Sequence, residues 1–327
     1  MMRFLSVALV LMVLLVTGVQ AAPPSYPVHR LACPVTMDGV VQGDPAWEGI
    51  PSMTGFFVLG NGYSNSKQTV ARLAWDDEAL YIGVVCEEPD APKLKPSARD
   101  GGDTWAEDSL EIFIHPLPSP QVYQFGVTAG GAKGGFEGNP DPNKFQAAAK
   151  IEDKQYSIEA RFPYTMFPGK PAAGKAWAGN ICRNIFTTQS GGDKFTSWAP
   201  LQSRFLEPEN FAVLKFQAGT LSPADAMKVT EQLNSGYRNT LVGQVQEAAK
   251  LGADYVGTLK EAAGDAKFGA QAQGLLADWQ RIEQISREAQ NANILDMRQA
   301  LMKLQELNKQ SYDVKYKYLI YRLLSAN

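Results

Sequence analysis

The stretch that decides the fold is residues 103–114, DTWAEDSLEIFI, in which an acidic loop with one tryptophan runs into an alternating strand. Successive side chains of a strand point to opposite faces of its sheet, so Leu110 and Ile112 face one side and Glu111 the other. An indole such as Trp105 covers the apolar face of a sugar ring, and a carboxylate accepts hydrogen bonds from its hydroxyls. The same pattern arises when Trp105 is a structural loop anchor and Glu111 a solvated strand residue, so the choice between the two interpretations depends on the rest of the chain.

Other runs in the first half of the chain have the pattern of short strands. They are separated by turns rich in Pro, Gly, Asn and Asp, and no helical crossover lies between them. This pattern predicts a mainly β fold, an antiparallel β-sandwich of the jelly-roll or immunoglobulin-like kind. The predicted strands include residues 71–75, 80–86, 123–128, 158–162 and 211–216.

The composition changes near residue 220. All but one of the 20 prolines and all but one of the 6 tryptophans lie before that point. Ser222 and Pro223 form a helix start signal, as N-cap and first helical residue. Apolar residues then recur at helical spacing over residues 227–248, 275–289 and 301–318. We therefore predict a sandwich domain at 23–219 and an α-helical hairpin or bundle at 220–327, with a coiled coil for self-association or a protein partner as the alternative.

The first residues have the pattern of an export signal. A short basic segment precedes an apolar run at 4–16, and small residues lead to a cleavage site after Ala21 or Ala22. The run is shorter than the roughly 20 residues that span a bilayer. We predict a signal peptide at 1–21 and a secreted, periplasmic or extracellular protein with no membrane span after cleavage.

Charge and composition exclude several classes of function. A net charge of −3 is not the clustered basic surface that nucleic acid requires. The histidines, His29 and His115, have no cysteine pair beside them for zinc, and no catalytic triad motif is present. The cysteines Cys33, Cys86 and Cys182 allow one disulfide and a free thiol, or no disulfide.

Five motifs follow one another along the first half. In this order and spacing they resemble the family 9 carbohydrate-binding modules, within the DOMON-like β-sandwich superfamily, and the likeness covers about residues 35–216. The motifs are DGVVQGDPAW at 38–47, VARLAWDDEALYI at 70–82, WAEDSLEIFI at 105–114, SWAP at 197–200 and EPENF at 207–211.

The resemblance implies an exported, non-catalytic protein that binds an oligo- or polysaccharide and serves polysaccharide binding or catabolism. It implies that Trp105 and Trp198 are two walls around a sugar, that Glu111 accepts from its hydroxyls and that Arg183 donates to them. In its own strand, Arg183 falls on an apolar face. Either that strand bulges, or Arg183 pairs with a carboxylate such as Glu111.

Other functions remain open at this stage. Calcium occurs in the family, and Asp76 and Asp77 are carboxylates of the kind that this ion prefers, although they also suit a hairpin turn. A glycosidase would need paired carboxylates such as Glu107 and Glu111. Relatives of the sandwich carry haem, which would have to use the two histidines or methionines as ligands. Finally, the sandwich could be inert, with the helical tail binding a partner.

Overall fold

We analysed a computed structural model, which describes residues 23–60, 65–136, 141–187, 194–288 and 292–325. The predicted signal peptide lies outside these residues. Within them, no helix is both long and apolar enough to cross a membrane.

The first half consists of short strands with one short helix, α1 (Pro45–Glu48), as the sequence predicts. The strands of the described residues are β1 (Ser25–Arg30), β2 (Phe57–Val58), β3 (Thr69–Trp75), β4 (Ala79–Glu87), β5 (Ser109–His115), β6 (Tyr123–Thr128), β7 (Lys133–Gly135), β8 (Gln146–Glu152), β9 (Gln155–Pro163), β10 (Ala176–Asn184), β11 (Phe195–Ser197) and β12 (Ala212–Phe216).

The strands form a nearly closed, barrel-like sandwich. One sheet has the order β7-β6-β5-β10-β12, with β11 paired to β10 and β2 paired to β11, and the other has β3-β4-β9-β8. Strand β1 joins them, because Ser25–Val28 pair with β12 while His29 and Arg30 pair with β3. Both of these ladders are parallel, which corrects the prediction of a wholly antiparallel sandwich. The jelly-roll or immunoglobulin-like detail is not confirmed.

The core lies between the two sheets. Leu110 and Ile112 of β5 are buried there, which confirms the face predicted from their alternation. Aromatic rings fill the same space: Phe162 lies 4.9 Å from both Phe125 and Phe145, measured between ring centroids. Full burial of such a side chain stabilises a fold by about 1.5–3 kcal/mol, so this core fixes the sheet that carries residues 109–115.

The second half is helical, with α2 (Pro223–Leu233), α3 (Ser235–Ala262), α4 (Gly269–Glu288) and α5 (Ile294–Ser325). Helices α3, α4 and α5 pack around a shared apolar core, so the predicted bundle is confirmed. The stretch that the sequence predicts as one helix breaks at Asn234. Its amide accepts from the Thr54 backbone N–H at 2.9 Å and donates to the Ser52 carbonyl at 3.1 Å. The interruption is confined to this residue, because the Asn234 N–H still donates to the Thr230 carbonyl at 3.1 Å and its carbonyl accepts from the Arg238 N–H at 2.9 Å. The side-chain amide therefore joins the helices to the sandwich at this point.

A second contact ties the helices to the sandwich. The guanidinium of Arg298, near the start of α5, donates to both carboxylate oxygens of Glu87 at the end of β4. It also donates to the Ser66 carbonyl at 2.8 Å.

The change from strands to helices falls between Phe216 and Pro223. The division into two domains stays a prediction.

Candidate functional site

Trp105 lies in a 3₁₀ turn, Thr104–Ala106, directly before β5. Its side chain is 51% exposed. The turn rests on the outer face of the first sheet because β6 and β7 carry glycines beneath it. A Cβ on Gly126 would lie 1.9 Å from Thr104 Oγ1, and one on Gly134 would lie 2.5 Å from the same atom. The two glycines therefore provide the space in which the turn holds the indole above the sheet.

A polar network occupies the same outer face. Glu111 points away from the core, as its alternation predicts, but it is only 6% exposed. Its carboxylate accepts from Gln124 Nε2 at 2.6 Å and from Asn184 Nδ2 at 2.9 Å. Asn184 also donates to Ser109 Oγ at 3.1 Å. Burial raises the pKa of Glu111, and the two amide donors offset part of that increase.

Asn184 is not identified from the sequence alone. In the β5–β10 ladder Asn184 lies opposite Ser109, and Cys182 lies opposite Glu111. Cross-strand partners point to the same face, so the pairing of these two strands was the missing signal.

A cleft of about 420 Å³ opens beside the turn. Asp103, Glu107 and Asp108 line it from the Trp105 loop, and Phe186 and Thr187 line it from the segment after β10. Asp108 Oδ1 accepts from the Phe186 backbone N–H at 3.1 Å, which ties the two sides together. The Phe186 ring is 39% exposed. Lys93 and Lys95 also line the cleft, which thus combines one exposed aromatic ring with several carboxylates and two cations.

Glu107 carries an unused acceptor in this cleft. Its Oε2 accepts from the backbone N–H of Ser97 at 2.8 Å and of Ala98 at 3.2 Å. Its Oε1 is buried and has no hydrogen-bond partner in the described part of the chain. An acceptor in this state is satisfied by water or by a ligand hydroxyl.

The structure does not place Trp198 opposite Trp105. Trp198 is 7% exposed and belongs to the core between the sheets, where its ring packs edge-to-face on Tyr26 at 6.2 Å. The reason is backbone pairing: the Trp198 N–H donates to the Ile181 carbonyl, which turns the segment after β11 inward. The predicted pair of tryptophan walls is therefore absent from this conformation, and only Trp105 offers a free face.

Arg183 also lies on the other side of the sheet from Glu111. It is fully buried, and the carboxylate it pairs with is Glu88, at 3.2 Å. Its guanidinium also donates to the backbone carbonyls of Gln68 at 3.2 Å and Glu87 at 2.9 Å. The predicted ion pair exists, but with a different partner, and Arg183 cannot reach a bound sugar.

The carboxylates of Asp76 and Asp77 make contacts within the protein. Asp76 Oδ1 accepts from the Ala79 N–H at 2.8 Å, and its Oδ2 accepts from the Tyr81 hydroxyl at 2.9 Å. Asp77 pairs with Arg30 at 2.9 Å. Among the described residues, no group of three or more His, Cys, Asp or Glu side chains could hold a metal ion. The carboxylates are used to shape a hairpin turn, and calcium at this position stays an untested prediction.

The two histidines considered as haem ligands each contact a backbone carbonyl. His29 Nδ1 contacts the Gly219 carbonyl at 3.2 Å, and His115 Nε2 contacts the Ser119 carbonyl at 2.8 Å. All three cysteines are free thiols, with Cys33 exposed and the other two buried. Burial raises the pKa of the Cys182 thiol, and the neighbouring Glu111 adds to the increase.

A β-sandwich that presents an indole beside buried amides and carboxylates has the architecture of a carbohydrate-binding module. The sequence model of the family described as "Carbohydrate family 9 binding domain-like" matches residues 37–218. The chain belongs to this family.

Comparison with solved structures finds chains of low sequence identity that are similar to this one over about 60% of its length. A protein from Bacteroides uniformis with a proposed carbohydrate-binding function matches at 18% identity and a TM-score of 0.47, over 60% of this chain and 100% of its own. A family 9 carbohydrate-binding module from Caldicellulosiruptor kristjanssonii in complex with cellotriose matches at 18% identity and a TM-score of 0.46, over 59% of this chain and 93% of its own. The same module in complex with glucose matches at 17% identity and a TM-score of 0.44, over 58% and 95%. No protein with a curated description matches the chain.

Proposed function

We propose that the chain is an exported, non-catalytic carbohydrate-binding protein that binds an oligo- or polysaccharide at Trp105 and the adjoining cleft. The observation that carries the proposal is the half-exposed ring of Trp105, in the turn before β5 of a sandwich from a carbohydrate-binding family. The role is recognition of a polysaccharide, in support of its breakdown by other proteins.

Each side chain of the site has a part in this function. The ring of Trp105 stacks on the apolar face of a sugar; covering about 100 Å² of apolar surface contributes roughly 2.5 kcal/mol before ordering costs. Phe186, across the cleft, supplies the second aromatic surface in place of Trp198. Glu107 lines the cleft, and its carboxylate accepts from a sugar hydroxyl after a rotation that brings the buried, unpartnered Oε1 to the cleft surface. Glu111 and Asn184 are buried beside the turn, and their hydrogen bond stabilises the strands that carry the site.

Calorimetry with the chain lacking the predicted signal peptide tests the proposal. Cello-oligosaccharides and a glycan array supply the ligands. We expect Trp105→Ala to weaken binding at least about 10-fold, and Phe186→Ala to weaken it less, because phenylalanine offers a smaller ring. Ile151→Ala, which truncates a side chain that is 41% exposed on β8, is the matched control and should bind like the unchanged protein. An unchanged protein that binds no glycan, or full binding by Trp105→Ala, would sink the proposal.

A further inference from the structure

An open groove of about 380 Å³ runs between α3 and α5. On another side of these helices, α4 covers them: Trp279 fills the space above Gly252 and donates from Nε1 to Ser311 Oγ at 3.0 Å. The groove itself is lined by Leu251 of α3 and Leu301 of α5. It has the shape that a bundle leaves when one more helix could pack against it.

Two buried acceptors in the groove lack partners. Asn308 is 7% exposed; its Nδ2 donates to the Ala248 carbonyl at 2.8 Å, but its Oδ1 has no hydrogen-bond partner within the described ranges. The same holds for Oε1 of Gln244, which also lines the groove. Leaving such a group unsatisfied costs about 1–3 kcal/mol, so a rotation that brings either oxygen to a donor at the groove surface is favourable.

An apolar stripe extends the groove along α5. Tyr312, Tyr316, Leu319 and Leu323 are each at least 40% exposed, although large apolar side chains are normally buried. Their spacing of four, three and four residues is the heptad spacing of helices that pack on one another. From the groove residue Leu301 to Leu323 the stripe is about 33 Å long at 1.5 Å per residue. This length fits a helical partner and is too long for a small ligand.

We propose that this surface binds the same surface of a second copy of the chain. Amide side chains carry both donor and acceptor groups, so Gln244, Gln305 and Asn308 of two copies can satisfy one another across a two-fold axis. The rims also have opposite charges: Glu247 lies on α3 and Lys309 on α5, and both are exposed. A two-fold axis parallel to the helices places α3 of one copy against α5 of the other, and the two charges then face each other.

Sedimentation velocity of the chain without its predicted signal peptide tests this inference. The unchanged chain should sediment as a dimer. Leu251→Glu and Tyr312→Glu each put a carboxylate on an exposed side chain of the groove, so folding is kept while the dissociation constant rises at least about 10-fold. Met227→Glu, at a side chain that is 61% exposed on α2, is the matched control and should leave the dimer intact.

A charge exchange tests the arrangement. Glu247→Lys and Lys309→Glu should each weaken the dimer, and the double variant should restore it. A chain that stays monomeric at every concentration would overturn the inference. So would a monomer that binds vesicles of phosphatidylglycerol in a co-sedimentation assay, because the surface would then bind lipid. So would a dimer that survives both groove substitutions, or a double variant without recovery. Circular dichroism of each variant separates these results from unfolding, and sugar affinity should stay unchanged because the sandwich site is not involved.

Discussion

Thr104 occupies the space that a side chain on Gly126 would need. The contact joins the turn that carries Trp105 to the strand beside Glu111. It sets the height of the indole above the sheet, because the turn cannot descend further and cannot tolerate a larger residue beneath it. One missing side chain on β6 thus positions the aromatic surface of the site.

Gly126→Ala should displace this turn. The added Cβ would lie 1.9 Å from Thr104 Oγ1, so the turn must move. We expect the free energy of unfolding to fall by about 1–3 kcal/mol and sugar affinity to fall about 10-fold. Gly169→Ala is the control, because a Cβ there meets nothing within 4 Å. Thr104 Cβ would itself lie 2.9 Å from the added Cβ, so Thr104→Gly is needed to remove both contacts. Adding Thr104→Gly to Gly126→Ala should restore affinity; failure of this rescue would contradict the steric explanation.

The two tryptophans should respond in opposite ways. Trp105→Ala removes a half-exposed ring, so binding should be lost while the melting temperature stays within a few degrees. Trp198→Ala empties a site in the core, and the free energy of unfolding should fall by about 3–5 kcal/mol. Thermal melts with calorimetric titration measure both quantities. A Trp198→Ala variant that is stable but has lost all sugar binding would show that Trp198 belongs to the binding site.

Arg183→Leu should be strongly destabilising. The substitution leaves the buried carboxylate of Glu88 with one cation fewer, although Lys67 still donates to it at 2.6 Å. Breaking a buried pair in this way costs about 3–5 kcal/mol. Urea unfolding measures the change, and Arg281→Leu, in an exposed pair with Asp278, should shift stability by less than about 0.5 kcal/mol. Equal effects of the two substitutions would show that the buried pair is not structural.

The free energy of unfolding should depend on pH through the carboxylate of Glu207. Burial raises its pKa, but backbone N–H donors from Gln202, Ser203 and Arg204 outweigh burial and hold the pKa at about 2, below the ordinary 4.5. Because the folded pKa is the lower one, this stabilisation is complete above pH 4.5 and is lost as the pH falls towards 2. Glu207→Gln should cost about 1–3 kcal/mol at pH 7 and almost nothing near pH 2. Urea melts across that range test it; a constant difference would refute the assignment.

Local patterns predicted most of the strands because alternation is a property of the strand itself. Leu110 and Ile112 needed no partner to be identified as core. The N-cap at Ser222 likewise predicted the start of α2, and its side chain accepts from the Asp225 N–H. The break at Asn234 could not be predicted, because its cause is a bond to Thr54 in the sandwich.

The site was predicted less well because it depends on which strands are neighbours. Trp105 and Glu111 come from one continuous stretch: Trp105 is exposed in the loop, and Glu111 lies on the predicted face, away from the core. Arg183 and Trp198 were assigned by resemblance alone, and the pairing of β10 and β11 turns both towards the core. Glu88, the partner of Arg183, lies 95 residues earlier in the chain, and no local pattern links the two.

The position of β1 has a consequence for the order of folding. Ser25 of β1 pairs with Val213 of β12, so the first strand to be synthesised cannot form this ladder until the last strand of the sandwich has been made. Such distant contacts slow folding, because a long loop must close before they form. A nascent chain that has not yet reached β12 therefore cannot complete the fold. The edge of the sandwich that β1 closes therefore stays open until about two thirds of the 327-residue chain has been synthesised.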